Sequence, residues 1–280
     1  MLVGGLPLVK ARVSSGKQRE AMNNRSKIFG LAFCTALALQ WGCSSRYAVS
    51  GVERAQLLVD SRYDAAPDKA AWDFLSPYKR QVDSLMCPVV GTIATEMGAE
   101  RPESPLSNLL ADILVWAGQA FDERPDFAVY NMGGIRASLN KGEVTFGDIV
   151  DVAPFENKIC FMTLSGDQVM ALFRQMASRG GEGISHGAHL EITPDGQLLA
   201  ATLNGEPISP AREYRVATLD YLAEGNDQLV AFKEGTQRLL PQGEANNVRF
   251  VISEYFKERQ AKGETVTSAV EGRIVVKSQK

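Results

Sequence analysis

Apolar residues recur along this chain at two intervals, and the interval changes once. Up to about residue 120 the spacing is helical. In DKAAWDFLSPYKRQVDSLM, Trp72, Leu75, Val82, Leu85 and Met86 fall at roughly helical intervals, and Pro77 should kink or restart that helix. In SPLSNLLADILVWAGQAF, Ser104 stands at the cap and Pro105 at the first helical position. Leu106, Leu109, Leu110, Ile113, Leu114 and Ala117 then line one face. Between these helices, PVVGTIAT reads as a strand from its β-branched content.

Beyond residue 125 the runs shorten. Strand-like segments occupy 126–130, 159–164, 188–193, 198–203 and 213–219, and PDG at 194–196 and NG at 204–205 carry hairpin-turn chemistry. SGDQVMALFRQMAS and NNVRFVISEYFKERQAKG are the later helices, and GRIVVK is a closing strand. Runs of strands separated by a few helices predict an α+β domain, mixed β-sheets with flanking helices, rather than a doubly wound parallel sheet. No repeat or linker interrupts it, so residues 67–280 read as one domain and 44–66 as a polar tether.

The N-terminus follows a different logic. From Met22, Arg25 and Lys27 form a positive region ahead of the apolar run Ile28 to Leu39, too short to span a bilayer comfortably and typical of an export signal. LALQWGCSS then places Gly42 before Cys43, which resembles a bacterial lipoprotein cleavage site, with Gln40 where an aliphatic residue is usual. The expectation is lipid on Cys43 and an exported protein held in the cell envelope by that anchor, facing periplasm or surface; an ordinary signal peptide cut nearby is the alternative. Residues 1–21 have no export logic and read as an overlong start, so 1–43 stand apart from the folded domain.

Export alters the charge. Residues 1–42 hold six of the 30 Lys/Arg and one of the 33 Asp/Glu, which leaves the remainder at net −8. An acidic chain with no basic block is a poor binder of nucleic acid. Cys87 and Cys160 lack CxxC neighbours and are expected as two buried thiols, with a disulfide between them left open.

Candidate chemistry centres on YNMGGIRASL, residues 130–139. Glycines at a strand end let backbone N–H groups approach a ligand, and an arginine just beyond offers a planar fork to phosphate or carboxylate. By itself this is equally a tight turn with a solvent-facing Arg. The wider stretch NMGGIRASLNKGEVTFGDIVDVAPFENKICFMTLSGDQV resembles the central signature of the 5'-nucleotidase C-terminal domain, NGGGIR followed by LPFGN. REYRVATLDYLAEGNDQL resembles its Y-x-V-x-T-x-x-F-L-A-x-G-G-D-G-F segment, and ESPLSNLLADIL its E-x-x-L-G-N-L-I-A-D-A helix, in the same order and at similar spacing. The resemblance covers about residues 68–277.

In that family this domain binds the substrate, while a separate metallophosphoesterase domain holds two metal ions. The resemblance implies a phosphate-binding Arg136, with Asn131 leading the motif and Gly133 and Gly134 allowing close approach. It implies Phe155 and Tyr221 as two rings stacking on a nucleobase, Asp227 as acceptor for ribose hydroxyls, and Asn157 as a second ribose contact. Arg101 lies near another phosphate arginine of the family, one residue out of step. Three departures stand out. Met132 replaces a glycine and would narrow the cradle, Glu156 places a carboxylate where the family has Gly, and GNDQL replaces GGDGF.

Metal-dependent phosphate hydrolysis needs a cluster of His, Asp and Asn ligands. The only histidines are His186 and His189, in SHGAHLEIT, with a turn-and-strand role expected. No catalytic residue, metal site or cofactor is therefore expected in this chain, divalent metals belonging to a partner metallophosphoesterase chain. The expected function is the nucleotide-binding half of a split 5'-nucleotidase. A stand-alone nucleotide- or nucleoside-binding surface lipoprotein is the alternative, and loss of binding through the GNDQL change is a third reading.

Overall fold

Short strands buried on both faces form the centre of the domain, and helices close it on either side. The computed structural model describes residues 55–58, 60–66 and 68–278, so the export signal and Cys43 lie outside the described residues. The chain divides into two units at Pro67/Asp68. In the first, one 3-10 turn at Ser61–Tyr63 is capped by the Asp60 carboxylate, which accepts from the Arg62 N–H.

The second unit runs in the order α1 (Lys69–Met86), β1 (Val89–Ile93), α2 (Pro105–Ala117), β2 (Phe127–Tyr130), β3 (Gly142–Thr145), α3 (Phe146–Val152) and β4 (Ile159–Ser165). There follow α4 (Gly166–Ser178), β5 (Gly183–Ile184), β6 (Ala188–Ile192), β7 (Leu198–Leu203), β8 (Glu206–Pro207) and β9 (Glu213–Leu219). The last elements are α5 (Asp220–Ala223), β10 (Thr236–Leu239), α6 (Val248–Ala261) and β11 (Ile274–Val276). Local chemistry sets the helix starts. Ser104 and Ser107 form a capping box on α2 with Pro105 at its first turn, and Ser165 and Gln168 form another on α4.

The central sheet has the order β10-β4-β9-β2-β5. Only β2 and β9 pair in parallel; the other three pairings are antiparallel. Because successive strand residues point to opposite faces, each strand feeds two cores. Ile159, Phe161, Ala128, Tyr130, Ala217 and Leu219 join α2 and α6 on one side. Cys160, Met162, Leu164, Phe127, Val129 and Val216 join α4 and a second sheet, β11-β6-β7-β8, on the other. The PDG and NG segments connect β6 to β7 and β7 to β8, with Asn204 and Gly205 both at positive φ. β1 and β3 form a separate antiparallel pair.

Three expectations are corrected here. Pro77 does not restart α1, which is continuous through it. The Asp73 carbonyl that Pro77 cannot bond is approached by the Ser76 hydroxyl at 3.5 Å on an exposed helix. TFGDIV, assigned to no element from sequence, is α3, capped by Thr145 and Asp148. Cys87 is exposed; only Cys160 is buried, and both are free thiols.

Burial pushes the Cys160 thiol up to about 12, leaving almost no thiolate at neutral pH. In protein carrying Cys34→Ser and Cys43→Ser, a maleimide at pH 8 should label Cys87 in the native state and Cys160 only after denaturation. Equal labelling rates, read by mass spectrometry, would show that the core around β4 opens freely.

Candidate functional site

One edge of the central sheet collects the loops. In the parallel pair, Phe127 faces Val216 and Ala128 faces Ala217, so Asn131 after β2 and Tyr221 after β9 emerge together. β4 runs against β9 with Ile159 opposite Leu219, which brings the segment before it, carrying Phe155 and Asn157, to the same edge. β5 runs against β2 with Gly183 opposite Tyr130, so Glu182 arrives there as well. Ligand crevices outside the carboxyl ends of parallel strands follow from this arrangement, since loops there diverge and leave space.

The cleft at this edge is open to solvent and is lined by Asn131, Gly133, Gly134, Phe155, Asn157, Tyr221 and Asp227. All seven were singled out from sequence. Phe155 and Tyr221 remain 47% and 38% exposed, so neither ring belongs to the core. Exposed aromatic faces on a cleft are suited to a flat ligand.

Asp227 is the polar centre. Its carboxylate accepts from Asn131 Nδ2 at 2.7 Å and from the Tyr221 hydroxyl at 3.3 Å. An ionised carboxylate only accepts, so this contact orients the Asn131 amide and turns its Oδ1 away. That Oδ1 is buried with no hydrogen-bond partner. An unpaired buried acceptor costs about 1–3 kcal/mol. Gly134 is required for this geometry, because a Cβ there would sit 2.7 Å from Asn131 Oδ1. A Cβ on exposed Gly133 would reach towards the cleft, 3.6 Å from Asp227 Oδ2. The Tyr221 phenol is held above the usual tyrosine range, first by burial and then by the Asp227 charge, so it stays a hydrogen-bond donor at neutral pH.

GNDQL keeps Gly225, at φ 74°, and follows it with left-handed backbone at two residues that are not glycine. Asp227 and Gln228 stand at φ 54° and 63°, the left-handed region. A side chain there costs about 1–2 kcal/mol, against about 0.5–1 kcal/mol of extra chain entropy for glycine. Gln228→Gly should therefore raise stability by about 0.5–1 kcal/mol. A urea midpoint below that of the wild type would mean the Gln228 side chain outweighs its strain.

Two predicted residues lie outside the cleft lining. Arg136 is exposed, its backbone N–H bonded to the Val152 carbonyl, and its guanidinium makes no ion pair among the described residues. Arg101 is bonded to Glu182 at 2.5 Å. Met132 does not narrow the cradle: it is 7% exposed, and it is not among the residues lining the cleft. Glu156 opens onto a different depression with Lys158 and Asp220. Two residues near the site were not singled out, Arg179 and Glu182. Their signal was a pair of opposite charges three positions apart, separated by two glycines at a helix end.

Among the described residues no three His, Cys, Asp or Glu side chains come together in a way that could hold a metal ion. His186 Nδ1 contacts Glu271 at 2.9 Å and His189 Nδ1 contacts the Gly272 carbonyl at 2.7 Å. The donor set described here therefore does not fit a two-metal centre. No described helix is long and apolar enough to cross a membrane.

Comparison with known proteins places this geometry. The family described as "5'-nucleotidase, C-terminal domain" matches residues 89–234. Protein UshA of Yersinia enterocolitica is 26% identical over 167 residues, covering 59% of this chain and 30% of UshA. The trifunctional nucleotide phosphoesterase YfkN of Bacillus subtilis is 29% identical over 239 residues, covering 78% of this chain and 16% of YfkN. The crystal structure of a 5'-nucleotidase precursor from Thermus thermophilus superimposes with a TM-score of 0.65 at 28% identity, over 78% of this chain and 45% of that one. The chain spans less than half the length of each of these relatives. Both the sequence match and the superposition extend over the strands and loops that build the cleft, and the chain belongs to the 5'-nucleotidase C-terminal domain family.

Proposed function

We propose that this domain is the nucleotide-binding half of a split 5'-nucleotidase. The base lies between Phe155 and Tyr221, ribose hydroxyls donate to Asp227 with Asn157 nearby, and the 5'-phosphate extends past Gly133 and Gly134 to the Arg136 fork. The observation that carries this reading is the single cleft in which two exposed rings, one carboxylate and an unpaired buried amide oxygen converge. A nucleoside offers exactly the complementary set: a flat face and hydroxyl donors.

A separate exported metallophosphoesterase chain supplies the metals and the hydrolysis, and this protein is held nearby by lipid on Cys43. Supporting a docked partner, α1 has no buried residue although it is 18 residues long, about 27 Å at helical rise. Phe74, Leu75, Tyr78, Val82 and Leu85 are all more than half exposed on one of its faces. A helix with Pro77 inside it and no covered face is marginal in water. The matched region is only 30% of UshA and 45% of the Thermus thermophilus chain, so such relatives carry further domains, and a separate chain in that place is the cover we propose for this face.

The purified protein should bind AMP by calorimetry and release no phosphate from it with divalent metal. Adding the candidate metallophosphoesterase chain should start release, and Phe74→Asp with Tyr78→Asp should weaken that pairing while leaving AMP affinity intact. Rapid hydrolysis by this chain alone would overturn the split arrangement. Binding that no phosphoesterase converts to hydrolysis would favour a stand-alone nucleotide-capture protein.

A further inference from the structure

Glu182 is a fully buried carboxylate behind the cleft lining, bonded both to the glycine loop and to the arginine beside Asp227. Its Oε1 accepts from Arg179 Nε at 2.6 Å and from an Arg101 terminal nitrogen at 2.5 Å. Its Oε2 accepts the backbone N–H of Met132 at 2.6 Å, inside the glycine loop. The glycines between Arg179 and Glu182 make this possible. Gly180 and Gly181 adopt φ 77° and 106°, and a Cβ on Gly181 would meet the Pro102 carbonyl oxygen at 2.4 Å. Arg179 thus turns back off the end of α4 onto a carboxylate three residues later. Burial of that carboxylate is tolerable because three donors, two of them charged, satisfy it.

The guanidinium so held has another acidic neighbour. An Arg179 terminal nitrogen stands 3.9 Å from Asp227 Oδ1, too far for a hydrogen bond but within ion-pair range. Asp227 Oδ1 is otherwise approached only weakly, by the Tyr221 hydroxyl at 3.3 Å, while Oδ2 is taken by Asn131. Without Glu182, nothing in this arrangement holds Arg179 back from closing a direct pair with Asp227.

We propose that Glu182 is a positioning residue for sugar recognition: by tethering Arg179 it keeps Asp227 Oδ1 open to ribose hydroxyls. This rests on the nucleotide reading of the cleft. Glu182→Gln removes the charge at nearly constant shape and leaves one acceptor oxygen and one NH2 donor, so either the guanidinium groups or the Met132 N–H meets a donor and the tether on Arg179 weakens. Arg179 then pairs with Asp227 and occupies the acceptor that the sugar needs.

The test compares adenosine with 2',3'-dideoxyadenosine by calorimetry on the full protein, with thermal midpoints recorded alongside. Wild type should prefer adenosine by about tenfold, the size of one lost hydrogen bond to a charged group. In Glu182→Gln the ratio should fall to about one, and in Glu182→Gln/Arg179→Met it should return towards the wild-type ratio as the competing guanidinium is removed. A purely structural Glu182 would lower the thermal midpoint without that loss and return of selectivity, and such a result overturns the proposal. So does a wild type that binds both nucleosides equally. Where Glu182→Gln fails to fold, Glu182→Asp should give an intermediate ratio, and an unchanged ratio there also overturns it. Absence of any nucleoside binding by wild type would instead defeat the nucleotide reading itself.

Discussion

Phe155→Ala is expected to weaken nucleoside and nucleotide binding alike by about 10- to 100-fold, the range of one lost base–aromatic stack. The ring is 47% exposed on the cleft, so its removal leaves the hydrophobic cores intact and stability should change little. Tyr221→Ala should lose a similar factor and, in addition, release the hydroxyl that bonds Asp227 at 3.3 Å. Tyr221→Phe separates the two contributions, keeping the ring and removing only the hydroxyl. Calorimetry with adenosine and AMP reads all three. If Phe155→Ala bound adenosine as tightly as wild type, the ring would not be a wall of the base site, and the cleft would serve a different ligand or none.

The second large effect belongs to the phosphate. Arg136→Ala should cost AMP about 10- to 100-fold, the worth of a charge-assisted hydrogen bond at about 1.5–3 kcal/mol, while adenosine affinity stays as it was. The selectivity of this loss is the informative part, because a general disturbance of the glycine loop would weaken both ligands. Arg136→Lys should recover only part of it, since an ammonium offers a charge without the planar fork. The AMP affinity should also fall with salt more steeply in wild type than in Arg136→Ala, as expected for an exposed guanidinium. Equal losses for AMP and adenosine would move the phosphate elsewhere, with Arg101 the next cation to examine.

The cleft's polar floor links these two ends. Asn131 donates to Asp227, whose other oxygen faces Tyr221, and the same Asn131 begins the loop that leads to Arg136.

Along the chain, what could be read from residues was much of what is decided within one turn or one strand, although α3, with its local Thr145 and Asp148 cap, was missed. Ser104–Pro105 and Ser165–Gln168 start helices through their own backbone contacts, and Asn204–Gly205 makes its turn through local φ. Seven cleft residues were likewise within reach, because they sit in three stretches that resemble one family in order and spacing. Periodicity also assigned α1 an apolar face, but nothing local says whether such a face is covered; the structure leaves it bare.

The remainder waited on pairings between distant segments. Asn131 and Asp227 are 96 positions apart, and their contact exists only because β2 and β9 run parallel. Glu182 reads as an ordinary surface carboxylate until β5 pairs with Tyr130 and buries it under two arginines and a backbone N–H. Cys87 and Cys160 both have apolar neighbours in sequence, yet one faces solvent and the other is buried in β4 of the central sheet. By itself the sequence determined which elements form and which side chains are equipped for a nucleotide. Only the tertiary structure decided which of them share a wall, because burial and charge contact depend on strand register, and register is a property of two segments rather than one.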